Sequence, residues 1–231
     1  MQMSITLKER IDNLQKLIRE TASSCHRSPN EILLLAVAKG QSAKAIEEAF
    51  FAGIHHIGEN YLQEAQEKMQ QLAPLPLCWH FIGSIQKNKA EAIAKHFSWV
   101  HSISREKIAE LLDLHRPSDL PPLNVCLQVN LDEEETKSGL NPAQVAPLAF
   151  ALSQRPNLKL RGLMAIPKPH QGEEEQLNSF LRLRRLLNEV NQELGLTMDT
   201  LSMGMSDDWA PAIRAGSTIL RVGRAIFGER K

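Results

Sequence analysis

The chain has 231 residues, 42% hydrophobic and 23% charged, ordinary values for a globular protein in water. Its 27 Lys and Arg balance 27 Asp and Glu, so bulk charge gives no reason to expect nucleic acid or an anionic membrane as partner. The length suits one large hydrophobic core and is short for two, and no Gly/Ser-rich linker or shift in composition divides it, so residues 1–231 are expected to form one domain.

The first twenty residues carry charges every few positions and lack the apolar run of a signal peptide, while Leu7, Ile11, Leu14 and Ile18 mark one side of a helix. A short apolar or β-branched run follows at 32–39, then an Ala/Glu/Lys-rich helical segment at 43–52. The alternation continues with strands at 54–58, 78–83 and 99–104 and helices at 61–72, 87–96 and 105–114. Residues 116–122, with three prolines, read as a loop into a strand at 124–130. Asn141 and Pro142 stand as N-cap and first residue of a helix reaching 153. A strand at 160–167 precedes a longer helix striped by Leu177, Phe180, Leu181, Leu187, Val190 and Leu194. Strands at 200–204 and 219–227 flank a short helix that ends near Gly216. No run approaches the roughly 20 apolar residues of a membrane span. Cys25, Cys78 and Cys126 show no metal-binding spacing and read as reduced thiols of a cytoplasmic protein.

Eight strands each joined by a helix fit a single (β/α)8 TIM barrel with an extra N-terminal helix better than a doubly wound open sheet. In such barrels chemistry collects at the C-terminal ends of the strands. The residues there are Lys39, 58–61, 80–86, Asn130, 164–168, 203–207 and 221–228.

Lys39 closes the run Ile-Leu-Leu-Leu-Ala-Val-Ala-Lys. A neutral lysine amine condenses with aldehydes, but a lone strand-end lysine reads first as one that snorkels to water. Lys168, at the end of the sixth strand, is a rival in a loop expected to be solvated. Ser206 sits near the start of the helix after strand 7, where it is either an ordinary cap or part of an anion site. Arg221-Val-Gly223-Arg224 on strand 8 adds a glycine that admits close backbone approach, and phosphate sites after strands 7 and 8 recur in this fold.

Together these stretches resemble the YggS/PROSC family, the pyridoxal phosphate homeostasis proteins. The resemblance is carried by Leu-Leu-Ala-Val-Ala-Lys39, Gly58-Glu-Asn-Tyr61, Trp79-His-Phe-Ile-Gly83 with Gln86-Lys-Asn-Lys89, and Gln128-Val-Asn130 with Lys137-Ser-Gly139. It continues through Arg161-Gly-Leu-Met-Ala-Ile-Pro167, Leu201-Ser-Met-Gly-Met-Ser-Asp207, Gly216-Ser-Thr218, Arg221-Val-Gly223 and Ala225-Ile-Phe-Gly228. It implies a barrel like the alanine racemase N-terminal domain and pyridoxal 5′-phosphate as cofactor. Lys39 would be the Schiff-base lysine, and Ser206, Gly223 and Arg224 would hold the phosphate. Arg221 would face the pyridine nitrogen, with Asn60 and Met203 beside the ring. Arg224 stands where many relatives have a threonine, so its guanidinium either binds the anion or points outward.

Arginine only donates hydrogen bonds, so Arg221 opposite the pyridine nitrogen favours an unprotonated ring and a weak electron sink. Tyr61, the one tyrosine, is expected to pack with a wet hydroxyl, and His80 to make structural hydrogen bonds. The leading expectation is therefore a monomeric, non-catalytic protein that buffers pyridoxal phosphate or delivers it to dependent apoenzymes. An amino-acid racemase and a cofactor-free Schiff-base aldolase using Lys39 or Lys168 are the alternatives.

Overall fold

The structure, a computed structural model, describes residues 5–132, 138–168 and 172–229; Lys137 of the Lys-Ser-Gly stretch lies outside them. Eight strands, β1 (Leu33–Val37), β2 (His56–Glu59), β3 (Cys78–Phe81), β4 (Trp99–Ile103), β5 (Leu123–Val129), β6 (Leu158–Ala165), β7 (Thr200–Ser202) and β8 (Ile219–Val222), close into a barrel in sequence order. Each pair is parallel, and β1 pairs with both β2 and β8. Around it lie α1 (Leu7–Ser24), α2 (Ala43–Phe51), α3 (Leu62–Gln71), α4 (Ala90–His96), α5 (Glu106–His115), α6 (Val145–Ser153), α7 (Glu173–Leu194), α8 (Trp209–Arg214) and α9 (Arg224–Phe227). None of the described helices is long and apolar enough to cross a membrane.

Because parallel strands are covered on both faces, their side chains divide between two cores. Leu35, Trp99, Cys126, Met164 and Ile219 meet inside the barrel, while the larger cluster lies between strands and helices. The N-terminal helix belongs to the second. Thr6 and Glu9 start it with a capping box, the Thr6 hydroxyl accepting from the Glu9 N–H at 3.2 Å and the Glu9 carboxylate accepting from the Thr6 N–H at 2.8 Å. It buries Ile11, Leu14, Ile18 and Ala22 and packs against α2, α8 and α9. Since α9 is a single turn, α1 covers the part of the barrel wall that an eighth outer helix would cover. Arg10 fastens the two by donating to the carbonyls of Ile226 (2.7 Å) and Phe227 (3.4 Å).

Asn141 accepts from the Ala143 N–H and opens a 3-10 turn, Pro142–Gln144, that leads into α6. The predicted loop at 116–122 is held by buried Arg116, which donates to the carbonyls of Ala94, Phe97 and Pro121 at 2.6–2.8 Å. The eighth strand is shorter than predicted. It stops at Val222, the chain turns at Gly223 (φ −112, ψ −72), and 224–227 coil into α9. An apolar run of that length reads as strand or helix alike, and here the last turn is helical.

Candidate functional site

The C-terminal ends of the strands surround a cavity of about 460 Å³. Six of the seven residues singled out in the sequence line it: Lys39, Asn60, Ser206, Arg221, Gly223 and Arg224. Met203 does not. Its backbone still follows β7, with its N–H donating to the Ile219 carbonyl at 3.1 Å and its own carbonyl accepting from the Ser217 hydroxyl at 2.6 Å. Its side chain is fully buried in the core between strands and helices. Gly204 then adopts φ +94, a left-handed turn that a side chain would block because a Cβ would meet the Ala212 Cβ at 2.6 Å. Past that turn Met205 lines the cavity with Ile82 and Ile166, three apolar wall residues that fall within the strand-end stretches 80–86, 164–168 and 203–207 but were assigned no role there.

Lys39 is half-buried, and its backbone is held from behind. Lys68 is buried on the inner face of α3, where its ammonium donates to the Ala38 carbonyl (2.7 Å), Glu59 Oε1 (2.7 Å) and Glu64 Oε1 (2.5 Å). Glu64 Oε1 also accepts from the Gly40 N–H at 2.6 Å. The peptide groups on both sides of Lys39 are thus tied to one ion cluster. Glu59 has no accessible surface, and burial pushes its carboxyl up to about 7 despite the opposing pull of Lys68. Next to it, Asn60 is pressed into place by Gly83, where an added Cβ would lie 2.0 Å from the Asn60 carbonyl oxygen. Asn60 Oδ1 is buried without a hydrogen-bond partner on the cavity side of β2, an orphan acceptor that calls for a donor.

Arg221 forms the floor. Its guanidinium donates to the Ser202 carbonyl, the Ser202 hydroxyl (2.9 Å) and the Ala165 carbonyl (3.0 Å). Burial lowers it to about 10, partly offset by the nearby Asp208 carboxylate, so it remains cationic at neutral pH. Below it runs a chain of histidines: Ser202 Oγ to His101 Nδ1 at 2.7 Å, His101 Nε2 to His80 Nδ1 at 2.9 Å, and His80 Nε2 to His56 Nδ1 at 2.9 Å. Desolvation holds His101 down at about 3, and desolvation with the neighbouring imidazoles holds His80 well below the usual range. His80 accordingly makes buried hydrogen bonds, away from the cavity lining.

On the opposite wall, the Ser206 hydroxyl accepts from the Ala225 N–H at 3.3 Å, joining the loop after β7 to the turn after β8. The N-cap of α8 is Asp208, two residues beyond the serine expected near it, and its Oδ1 accepts from the Met205 N–H at 2.5 Å. Gly223 brings its backbone close to β1, where a Cβ would lie 3.3 Å from the Val37 carbonyl oxygen. Arg224 is exposed, and its guanidinium pairs with Asp207 and reaches Glu229 at 3.9 Å. Of the two orientations open in the sequence, the structure shows the one directed to the rim. Lys168 is not on the cavity; its N–H donates to Asp132 Oδ2 at 2.8 Å. Tyr61 is 64% exposed at the N-cap of α3, so it is not the packing residue expected.

Residues 10–231 match the family described as alanine racemase, N-terminal domain. A pyridoxal phosphate homeostasis protein of Pseudomonas aeruginosa is 53% identical over 97% of this chain and 96% of its own length. The solved structure of PipY from Synechococcus elongatus without PLP covers 96% of this chain and 100% of its own, with 36% identity and a TM-score of 0.86. The same protein with PLP bound covers 91% and 100%, with 38% identity and a TM-score of 0.81. The order of motifs, the closed barrel and these likenesses agree: the chain belongs to the YggS/PROSC family, the pyridoxal phosphate homeostasis proteins.

Proposed function

We propose that the cavity holds pyridoxal 5′-phosphate and that the chain, 1–231 acting as one cytoplasmic monomer, buffers this cofactor or passes it to dependent apoenzymes without turning over a substrate. The carrying observation is convergence on one cavity: an amine (Lys39), an orphan buried acceptor (Asn60 Oδ1), a buried guanidinium (Arg221) and a backbone turn at Ser206 and Gly223. When bound, the cofactor supplies an aldehyde able to condense with a primary amine. Lys39 is the amine on this wall, and Lys168 is off it, which disfavours an aldolase built on Lys168.

The remaining residues bind and orient. Ser206 with the backbone of Gly223 and Arg224 would take the phosphate, with the Arg224 guanidinium kept at the rim by Asp207 and Glu229. Ile82, Ile166 and Met205 exclude water from a flat ring. Met205, which lines the cavity, would take the place beside the ring that the family resemblance implied for Met203. Arg221, fixed by three hydrogen bonds, can donate but not accept, which supports binding with the ring nitrogen unprotonated and works against carbanion chemistry. Among the described residues lining the cavity there is no tyrosine or histidine to act as a second base, and the name of the Pseudomonas aeruginosa relative points to homeostasis.

The test is to purify the protein, record its visible spectrum, reduce with borohydride and map the adduct. A yellow protein with a phosphopyridoxyl group on Lys39 supports the proposal. A colourless protein that fails to take up added pyridoxal phosphate refutes it. Steady racemisation of an amino acid, abolished in Lys39→Ala, would replace the carrier role with an enzymatic one.

A further inference from the structure

The opposite, N-terminal mouth of the barrel carries a cluster that cofactor binding leaves unused. His56 Nδ1, Cys78 Sγ and His80 Nε2 all lie within 4.8 Å of one another. The two nitrogens are 2.9 Å apart, and the sulfur is 3.6 Å from His80 Nε2. A zinc ion bonds imidazole nitrogen at about 2.0 Å and thiolate sulfur at about 2.3 Å, so the tetrahedral edge between them spans about 3.5 Å. The Cys78–His80 separation already has that length, and the two nitrogens need to part by only a few tenths of an ångström.

Linear spacing hides this arrangement because the donors come from two strands. His56 of β2 is the register partner of Cys78 in β3, and Cys78 and His80 share one face two residues apart. The outer shell is also in place. With Nε2 committed to an ion, His80 carries its proton on Nδ1 and donates it to His101, whose Nδ1–H donates in turn to Ser202 Oγ. Of the three donors, His56 lines a cavity of about 360 Å³ at this mouth, with Gln15, Arg19 and Asn30, so the cluster borders open space on its His56 side.

We propose that His56, Cys78 and His80 form a three-ligand site for a thiophilic divalent cation of the zinc class. One thiolate and two imidazoles match zinc or cobalt and disfavour the oxygen-seeking calcium and magnesium. The site stands independently of the cofactor reading, since it shares no side chain with the cavity around Lys39.

Cobalt(II) tests it on the full-length protein after chelator treatment. One equivalent should produce a thiolate-to-cobalt charge-transfer band in the near ultraviolet that zinc abolishes by displacement. Cys78→Ser should remove the band, Cys25→Ser should leave it, and His56→Gln should weaken binding at least ~10-fold. His56 and Cys78 are only partly buried, and far-ultraviolet circular dichroism of each variant confirms that a lost band is not a lost fold. The absence of any saturable thiolate band in the parent protein, or its survival in folded Cys78→Ser, overturns the proposal.

Discussion

Replacing Lys68 by methionine isolates the cluster behind Lys39. The substitution keeps the aliphatic bulk on α3 and removes three hydrogen bonds, at 2.7, 2.7 and 2.5 Å, from a side chain only 6% exposed. Each charge-assisted bond contributes roughly 1.5–3 kcal/mol, and losing one partner of a buried ion pair costs about 3–5 kcal/mol in all. The pH dependence separates this from ordinary packing loss. Glu59 is raised to about 7 in the folded protein against 4.5 unfolded, so the folded state keeps a proton that the unfolded state releases. Stability from this group is therefore fully present below 4.5, falls as pH rises toward 7, and is level above. Without the lysine, which pulls the carboxyl down, Glu59 titrates above 7 and the decline continues. The stability gap between variant and parent should then widen above pH 7 by up to ~1.4 kcal/mol per unit until the new pKa is reached. Urea denaturation from pH 5 to 9 reads it, and Glu59→Gln in the Lys68→Met background should flatten the excess slope. A gap below about 1 kcal/mol, or one parallel to the parent across that range, would refute the clamp.

Acid should destabilise the barrel through its histidines. His101 stays neutral in the fold down to about 3, whereas the unfolded chain takes the proton near 6.5, so stability falls as pH drops through that window by up to ~1.4 kcal/mol per unit for this one group. His101→Gln, compared with the parent by urea midpoints at pH 4.5–7.5, should show a shallower slope; equal slopes would count against a buried neutral imidazole. Met203→Ala should cost about 2–5 kcal/mol in thermal or urea unfolding because its side chain is core. Met205→Ala should stay within about 0.5 kcal/mol while weakening uptake of pyridoxal phosphate, and the reverse pattern would return the ring contact to Met203. Gly83→Ala, whose methyl would overlap the Asn60 carbonyl, should lower cofactor affinity more than substitution of Gly195 at the exposed end of α7, followed by spectral titration.

The strand count and the lysine's place at a strand end were legible because they depend on local pattern: β1 ends at Val37, two residues before Lys39, and the helices between strands carry their stripes plainly. What could not be read depends on closure. Both faces of a parallel strand are buried, so Trp79-His80-Phe81 or Val100-His101-Ser102 does not disclose which side chains face the lumen. Lys68 and Glu64 at i, i+4 look like an exposed helix pair until Glu59 arrives from β2. Met203 and Met205 share an alternation that Gly204 breaks, and its φ of +94 is a tertiary fact.

The polar spine of the lumen has a direction as well as a location. Barrel interiors of this class are filled mainly by branched apolar side chains, and a buried polar atom left unpaired costs about 1–3 kcal/mol, so three histidines are tolerable only if their protons are ordered. Arg221 supplies the order without an ion present. It cannot accept, so Ser202 Oγ accepts from it and the serine proton is left for His101 Nδ1. With the serine proton given to His101 Nδ1, His101 would carry its own proton on Nε2 and donate to His80 Nδ1, and His80 would donate from Nε2 to His56 Nδ1. In that sense of the chain, the proton order at the far mouth follows from a donor-only side chain at the Arg221 end. An ion on His80 Nε2 would require the opposite sense, with Ser202 Oγ accepting from both His101 and Arg221 through its two lone pairs.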